Sequence, residues 1–369
     1  MSVKNDTIDI LATDSIKASI THDDVKKILS DHYGLKVMSI KVLNGYDDLN
    51  FLVNVEKSVN NENIGEVCED GYILKIINSF DSKSIEFFNA QDCVLLFLGN
   101  RNICCPKPVK TVDGKFLKQK TFASGEHIFR VLEFVPGDIL EDVECSSMLC
   151  YQCGAFIANL NETLKNFSHK GYENRNVTWM MENVPQLLEF LFAVKDTKKQ
   201  QMVREIVDAF ESRVITSSHQ FPKGLIHGDF NEQNILVERG DGADWHVKGV
   251  LDFGDSHITC FLYDIAITMT YIIFHTKDLD SGGYVLAGYN STKPLSSEEI
   301  QLLKVCICAR MCQSLVLGAF TYSRDPGNTY VMKTSKFGWE ILEKLWHTPE
   351  ETIIGRWRNI CDIFTPIKS

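Results

Sequence analysis

A chain of 369 residues, 44% apolar and 24% charged, is long enough for two lobes with separate cores and too balanced for a disordered tail, a fibre or a membrane bundle. Its formal net charge of −11 sets up no overall positive field, so nucleic acid is not expected as a partner. No run reaches the roughly 18 apolar residues of a membrane span, and the N-terminus has no apolar signal core, so no membrane association and a cytoplasmic location are expected.

Thr21 and Asp24 have the spacing of a reciprocal helix cap, Val25, Ile28 and Leu29 share one face, and Gly34 is a stop, which predicts a helix over 21–33. Residues 36–43 and 50–57 alternate apolar and polar around a turn-rich 44–49, the pattern of a hairpin. The polar stretch 58–71 reads as a loop and 72–77 as a third strand. Ser82 or Ser84 is placed to cap a helix through 85–98 that stops at Gly99. Residues 111–119 and 127–135 read as two more strands, so the N-terminal part is expected to be a small antiparallel sheet with a helix packed on it.

The pattern changes at Pro136-Gly137. Leu149, Cys153, Phe156, Ile157, Leu160 and Leu164 form one helical stripe, and 187–194 and 202–215 read as further amphipathic helices. Two strand-like runs, 234–238 and 247–253, flank the turn 239–244, and the chain from Tyr263 on is again helical. The apolar run 261–274 carries Asp264 and is short, which predicts a buried helix. The expected division is an N-lobe over 1–135 and a mostly helical C-lobe over 136–369. The twelve cysteines include two clusters, Cys150 with Cys153 and Cys306 with Cys308 and Cys312. Both lie in apolar helix-like runs, so free buried thiols are expected, with a metal or redox site as the alternative.

The chemistry concentrates in HGDFNEQNILV (227–237) and GVLDFGD (249–255). Asp229 and Asn234 share one tight loop before a strand, and Asp252 ends the partner strand. Two carboxylates and an amide oxygen suit Mg²⁺, which keeps waters and shares substrate phosphates. A metal on the phosphates and an Asp at the acceptor hydroxyl are the parts that phosphoryl transfer to an alcohol needs. Lys75 stands in the middle of an apolar strand, where burial without a partner is costly.

These residues resemble the kinase signature HxDxxxxN followed by DFG, with HGD in place of HRD. The chain is therefore similar to the aminoglycoside phosphotransferase and choline kinase-like family. The resemblance implies an α+β, two-lobed protein-kinase-like fold with a small antiparallel-sheet N-lobe and a helical C-lobe. It implies Asp229 as catalytic base, Asn234 and Asp252 as Mg²⁺ ligands, and His227 as a support of the loop. Lys75 would contact the donor's α- and β-phosphates, partnered by Glu86, or with Asn89 in that place. The backbone of Glu133 and Val135 would meet the purine edge. No glycine-rich phosphate loop is present; the turn with Gly45 and Asn50 would stand in for it.

GYDDLNF (45–51), LIHGDFNEQNIL, LDFGDS with its downstream helix, and ARMCQSLVLGAF (309–320) are most similar to the hydroxylysine kinase branch of the family. That likeness implies GTP as donor and 5-hydroxy-L-lysine, an amino-acid substrate, as acceptor; the residues alone do not separate GTP from ATP. Such a substrate carries two ammonium groups and a carboxylate. Asp255 is a candidate for an ammonium. Arg310 is a candidate for the carboxylate or for a structural ion pair with a core acid such as Asp264. Trp179 and Tyr271 would line the pocket or pack in the core; Gln313 has no assignment. The alternatives are an ATP-dependent kinase of choline, homoserine or an aminoglycoside, and a non-catalytic kinase-fold binding module.

Overall fold

The computed structural model describes residues 16–43, 45, 48–240, 242, 244–324 and 335–364. Part of the GYDDLNF turn, two residues of the 239–244 turn and both chain ends lie outside the described residues. The chain divides into two units: one runs to Pro136 and takes in His169–Glu173, and the other holds Gly137–Ser168 and the chain from Asn174 on.

The first unit opens with α1 (His22–Tyr33). Its reciprocal cap is formed, with Asp24 N–H donating to Thr21 Oγ1 (3.2 Å) and Thr21 N–H to Asp24 Oδ2 (2.9 Å). Gly34 ends the helix in the left-handed region at φ +64°. An antiparallel sheet follows: β1 (Leu35–Leu43), β2 (Leu49–Val59), β3 (Tyr72–Ile76), β4 (Pro108–Val109), β5 (Leu117–Phe122) and β6 (Gly125–Glu133), with α2 (Ile85–Gly99) between β3 and β4. The order is β1-β2-β3-β6-β4, and β5 pairs with β6. Alternate residues of β2, β3 and β6 point to α1 and bury Phe51, Val53, Leu74, Ile76, Phe129 and Val131 against Val25, Ile28, Leu29 and Tyr33. Lys75, between Leu74 and Ile76, therefore lies on the other face, in register with Asn50 on β2 and Arg130 on β6.

Two local readings change. The pair β4 is added, too short to show an alternating pattern. Neither Ser82 nor Ser84 caps α2 with its side chain: the Ser82 hydroxyl donates to Ile77 O (3.2 Å) and accepts from Ile128 N–H (2.8 Å), bridging two strands instead.

The second unit contains β7 (Asp138–Ile139), α3 (Ser147–Leu164), α4 (Thr197–Ala209), β8 (Lys223–Ile226), β9 (Ile235–Arg239), β10 (Trp245–Val250), β11 (His257–Cys260), α5 (Phe261–Thr276), α6 (Ser281–Thr292), α7 (Ser297–Arg324), α8 (Ser335–His347) and α9 (Glu350–Phe364). β9 lies between β10 and β7, and β8 pairs with β11, all antiparallel. The pair β8–β11 was not expected; four residues are too few for periodicity to register. The helix expected over 187–194 is instead 3₁₀ turns over Met181–Glu189 and Leu191–Ala193, because Pro185 cannot continue an α-helical ladder. α5 is buried over nearly its whole length, as its apolar run predicts. α7 is long and apolar enough to cross a membrane by length and composition, against the sequence expectation; 78% of that window is buried inside the protein. It also carries the buried polar residues Lys304, Arg310 and Gln313. All twelve cysteines are free thiols.

Candidate active site

In the second unit, β8 leads into the loop 227–234 and that loop into β9. Gly228 sits at φ +81°, and a Cβ there would lie 2.4 Å from Asp255 O, so glycine is required between His227 and Asp229. Asp264, in the first turn of α5, holds the same backbone. Its Oδ2 accepts from His227 N–H (3.2 Å) and Asn161 Nδ2 (2.6 Å), and its Oδ1 from Gly228 N–H (3.0 Å). Tyr289 OH donates in turn to Asn161 Oδ1 (3.0 Å). His227 Nδ1 accepts from Asp229 N–H (3.2 Å), so Nε2 carries the proton and donates to Leu251 O (2.9 Å). Burial lowers the His227 pKa, consistent with that neutral tautomer.

Asp229 is fixed from three directions. Its Oδ2 accepts from the side-chain amides of Asn231 and Asn234, both at 2.9 Å, and its Oδ1 lies 3.3 Å from Arg310 Nη2. Burial and the nearby Asp255 push its carboxyl up, while Arg310 and the Asn231 hydrogen bond pull it down; the net direction is well above the ordinary carboxylate value. Asn234 Nδ2 also donates to Asp229 O (2.9 Å), which commits the amide nitrogen to Asp229 and leaves Oδ1 as a hard oxygen for a cation. Leu251 N–H donates to Asn234 O (2.8 Å), bringing the residue before Asp252 into register with Asn234. Asp252 is exposed and adopts φ +50°, a region Asp tolerates, with Oδ1 accepting from Gly254 N–H (2.9 Å). The donor set of an amide oxygen and a carboxylate fits Mg²⁺.

Arg310 pairs with Asp229, and the alternative partner Asp264 is occupied by the loop backbone. Its Nη1 donates to Trp179 O and Gln313 Oε1, both at 2.9 Å. The guanidinium lies 5.0 Å from the Trp179 ring centre and 5.4 Å from that of Tyr271. Gln313 donates to Thr178 O (2.9 Å) and Met180 O (3.2 Å), which holds the segment carrying Trp179. Burial raises the Tyr271 phenol to about 12. Asp255 O accepts from His257 Nδ1 at 2.6 Å.

His257 is buried and, among the described residues, its Nε2 has no hydrogen-bond partner, so protonation there would bury an unpaired N–H⁺; burial lowers its pKa to about 4. A depressed histidine pKa means that the unfolded chain takes up the proton first. Stability is therefore expected to fall as pH drops from about 6.5 toward 4, by about 2 kcal/mol at pH 5 from this residue alone. Melting temperatures at pH 7 and 5 test it: the drop should be smaller in His257→Gln than in the wild type, and equal drops would remove His257 as the cause.

In the first unit, Lys75 Nζ is 3.5 Å from Asp48 Oδ2. Glu86 does not serve this lysine: it is exposed in the first turn of α2 and pairs with Lys170 (3.3 Å). Asn89 lies on α2, half-buried. Asn50 is the register partner of Lys75. The Glu133 N–H is spent on Lys107 O (2.8 Å) and the Phe134 N–H on Gly71 O (3.0 Å), so of the backbone groups expected at a purine edge the Glu133 N–H is already used. Sequence reasoning passed over Asp48, Asn231 and Asn161 altogether. Asn161 carried one signal, a polar residue among the apolar residues of its helix.

A carboxylate held by two side-chain amides, an amide oxygen and a second carboxylate in one unit, and a strand lysine in the other, are the residue types that phosphoryl transfer uses. The model of the phosphotransferase enzyme family matches residues 40–297, and the chain belongs to that family. It is a small-molecule kinase. The chain is 33% identical to the hydroxylysine kinase of Xenopus laevis over 96% of its own length and 97% of that protein's. Among solved structures it is similar to a microcompartment-associated aminopropanol kinase (TM-score 0.67, 17% identity, 88% of this chain and 97% of that one). It is also similar to an amicoumacin kinase in complex with AMP-PNP and Ca²⁺ (TM-score 0.64, 19% identity, 90% and 95%). These two likenesses show the fold.

Proposed function

We propose that this kinase transfers the γ-phosphoryl group of GTP to the side-chain hydroxyl of 5-hydroxy-L-lysine. The observation that carries the acceptor is the likeness to a hydroxylysine kinase over 96% of the chain, well beyond the loop motif. Asp229 takes the hydroxyl proton as that oxygen bonds to the γ-phosphorus. The bond from phosphorus to the bridging oxygen breaks, and the nucleoside diphosphate leaves with the electron pair. Asn231 and Asn234 hold the carboxylate so that its rotation is settled before substrate arrives. Asn234 Oδ1 and the Asp252 carboxylate would hold Mg²⁺, which when bound neutralises charge on the donor phosphates. Lys75 meets the donor phosphates, the Glu133 carbonyl and Val135 N–H the purine edge, and Asn50 the covering turn. Asp255 receives an ammonium group, and Arg310, framed by Trp179 and Tyr271, receives the substrate carboxylate.

Coupled nucleotide turnover with Mg²⁺ tests the proposal, crossing GTP and ATP against 5-hydroxylysine, lysine, choline, homoserine and kanamycin. GTP turnover that needs hydroxylysine and is absent with lysine is expected, since the two differ only by the hydroxyl. Turnover with another acceptor alone would discard the named substrate.

Arg310→Ala removes a partner of Asp229 and the proposed carboxylate anchor together. Loss of a bidentate charge-assisted contact is expected to lower kcat/KM for hydroxylysine by about 10²-fold. The decarboxylated diamino alcohol should lose clearly less. Equal losses on both substrates would confine Arg310 to Asp229.

A further inference from the structure

We propose that Asp48 is a counter-charge of Lys75 and positions its ammonium for the donor phosphates, in the place where an acid on α2 was expected. The inference deepens the kinase reading above and rests on it. α2 offers two acids, and both are committed elsewhere. Glu86 is exposed and pairs with Lys170 (3.3 Å). Asp92 is buried and pairs with Arg130 Nη1 on β6 (3.0 Å), whose Nη2 donates to Gln91 Oε1 (2.5 Å). The helix is thus tied to the sheet through β6, one strand away from the lysine.

Asp48 immediately precedes β2, two residues before the register partner of Lys75. Its Oδ2 faces the ammonium at 3.5 Å, with the two side chains only 20% and 12% exposed. Its Oδ1 accepts from Asn78 N–H (2.9 Å) and Asn78 Nδ2 (3.2 Å). Asn78 is itself locked: Nδ2 donates to Asp81 Oδ2 (2.7 Å), and Oδ1 accepts from the N–H groups of Phe80 (3.1 Å) and Asp81 (2.9 Å). One carboxylate oxygen is therefore anchored to a rigid turn and the other is presented to the lysine. An ammonium has three donors. One directed at a fixed carboxylate holds the ammonium in place, with the side chain's rotamer freedom already given up in the free protein. The segment entering β2, which would cover the phosphates, and the lysine that would contact them are joined by this pair. Asp48 is a positioning residue, acting through Lys75.

The test compares Asp48→Asn, Lys75→Met and the double variant in the full-length enzyme. Measured are KM for Mg²⁺-nucleotide, KM for acceptor, kcat and melting temperature. Asn at 48 keeps an oxygen for the Asn78 N–H, so the melting temperature should stay near wild type. The donor KM should rise about tenfold, the size of a charge-assisted hydrogen bond, with the acceptor KM unchanged. In the Lys75→Met background, Asp48→Asn should add nothing further. An equal rise in that background, or no rise where Lys75→Met alone is severe, overturns the role of Asp48 and leaves the lysine reading standing. A harmless Lys75→Met removes the lysine reading and Asp48 with it.

Discussion

Asp229→Asn is expected to lower kcat by about 10²–10⁴, the usual contribution of a positioned general base, with little change in the affinity for nucleotide. The substitution keeps the shape and removes only the ability to take the proton. The geometry makes the expectation sharper than the motif alone. Asn231 and Asn234 donate to Oδ2, and Arg310 approaches Oδ1, so the carboxylate is already oriented in the free protein. An amide at this position would turn a donor toward the Asn231 and Asn234 amides or toward Arg310, so a small local cost in stability is expected as well. Steady-state kinetics and nucleotide titration on the same preparation check it. Wild-type kcat in the variant would eliminate Asp229 as base, whereas a loss confined to nucleotide affinity would reassign it to donor binding.

Asp264→Ala is expected to be the most damaging substitution to the fold around the site. It would strand the N–H groups of His227 and Gly228 and the Asn161 amide, all buried. Breaking one side of a buried charged network costs about 3–5 kcal/mol. Turnover should be lost beyond what the residual folded fraction explains, because the clamp sits on the two residues before Asp229. Denaturant unfolding gives the stability change, and kcat per folded molecule gives the second effect. A variant that keeps both near wild type would show that the loop is held by His227 and Gly228 alone. Asp264 touches the backbone of the loop and not Asp229, so the two variants separate positioning from chemistry.

The motif residues were legible in the sequence because their chemistry needs fixed residue types at short spacing. Asp229 and Asn234 lie on one loop, and the glycine between His227 and Asp229 answers to a single backbone conformation. The capped helix α1, the alternation in β1 and β2, the strand-like runs of β3 and β6, and the buried helix α5 were legible for the same reason: capping and residue pattern are local. Lys75 stood out because a lysine in an apolar strand calls for a partner.

The partners themselves were decided by tertiary structure. Lys75 meets Asp48 rather than Glu86, because Glu86 falls in the exposed first turn of α2 and the inward position is taken by Asp92, which answers Arg130. Arg310 meets Asp229 rather than Asp264, because Asp264 is filled by three donors from the loop and α3. The Glu133 N–H was equally undecidable, since its use depends on Lys107 lying alongside. The sequence by itself determined which residues carry charge and chemistry and the local conformations that present them. Which opposite charges meet was set only when elements distant in the chain packed together, because an ion pair depends on separation in space and direction, and spacing along the chain records neither.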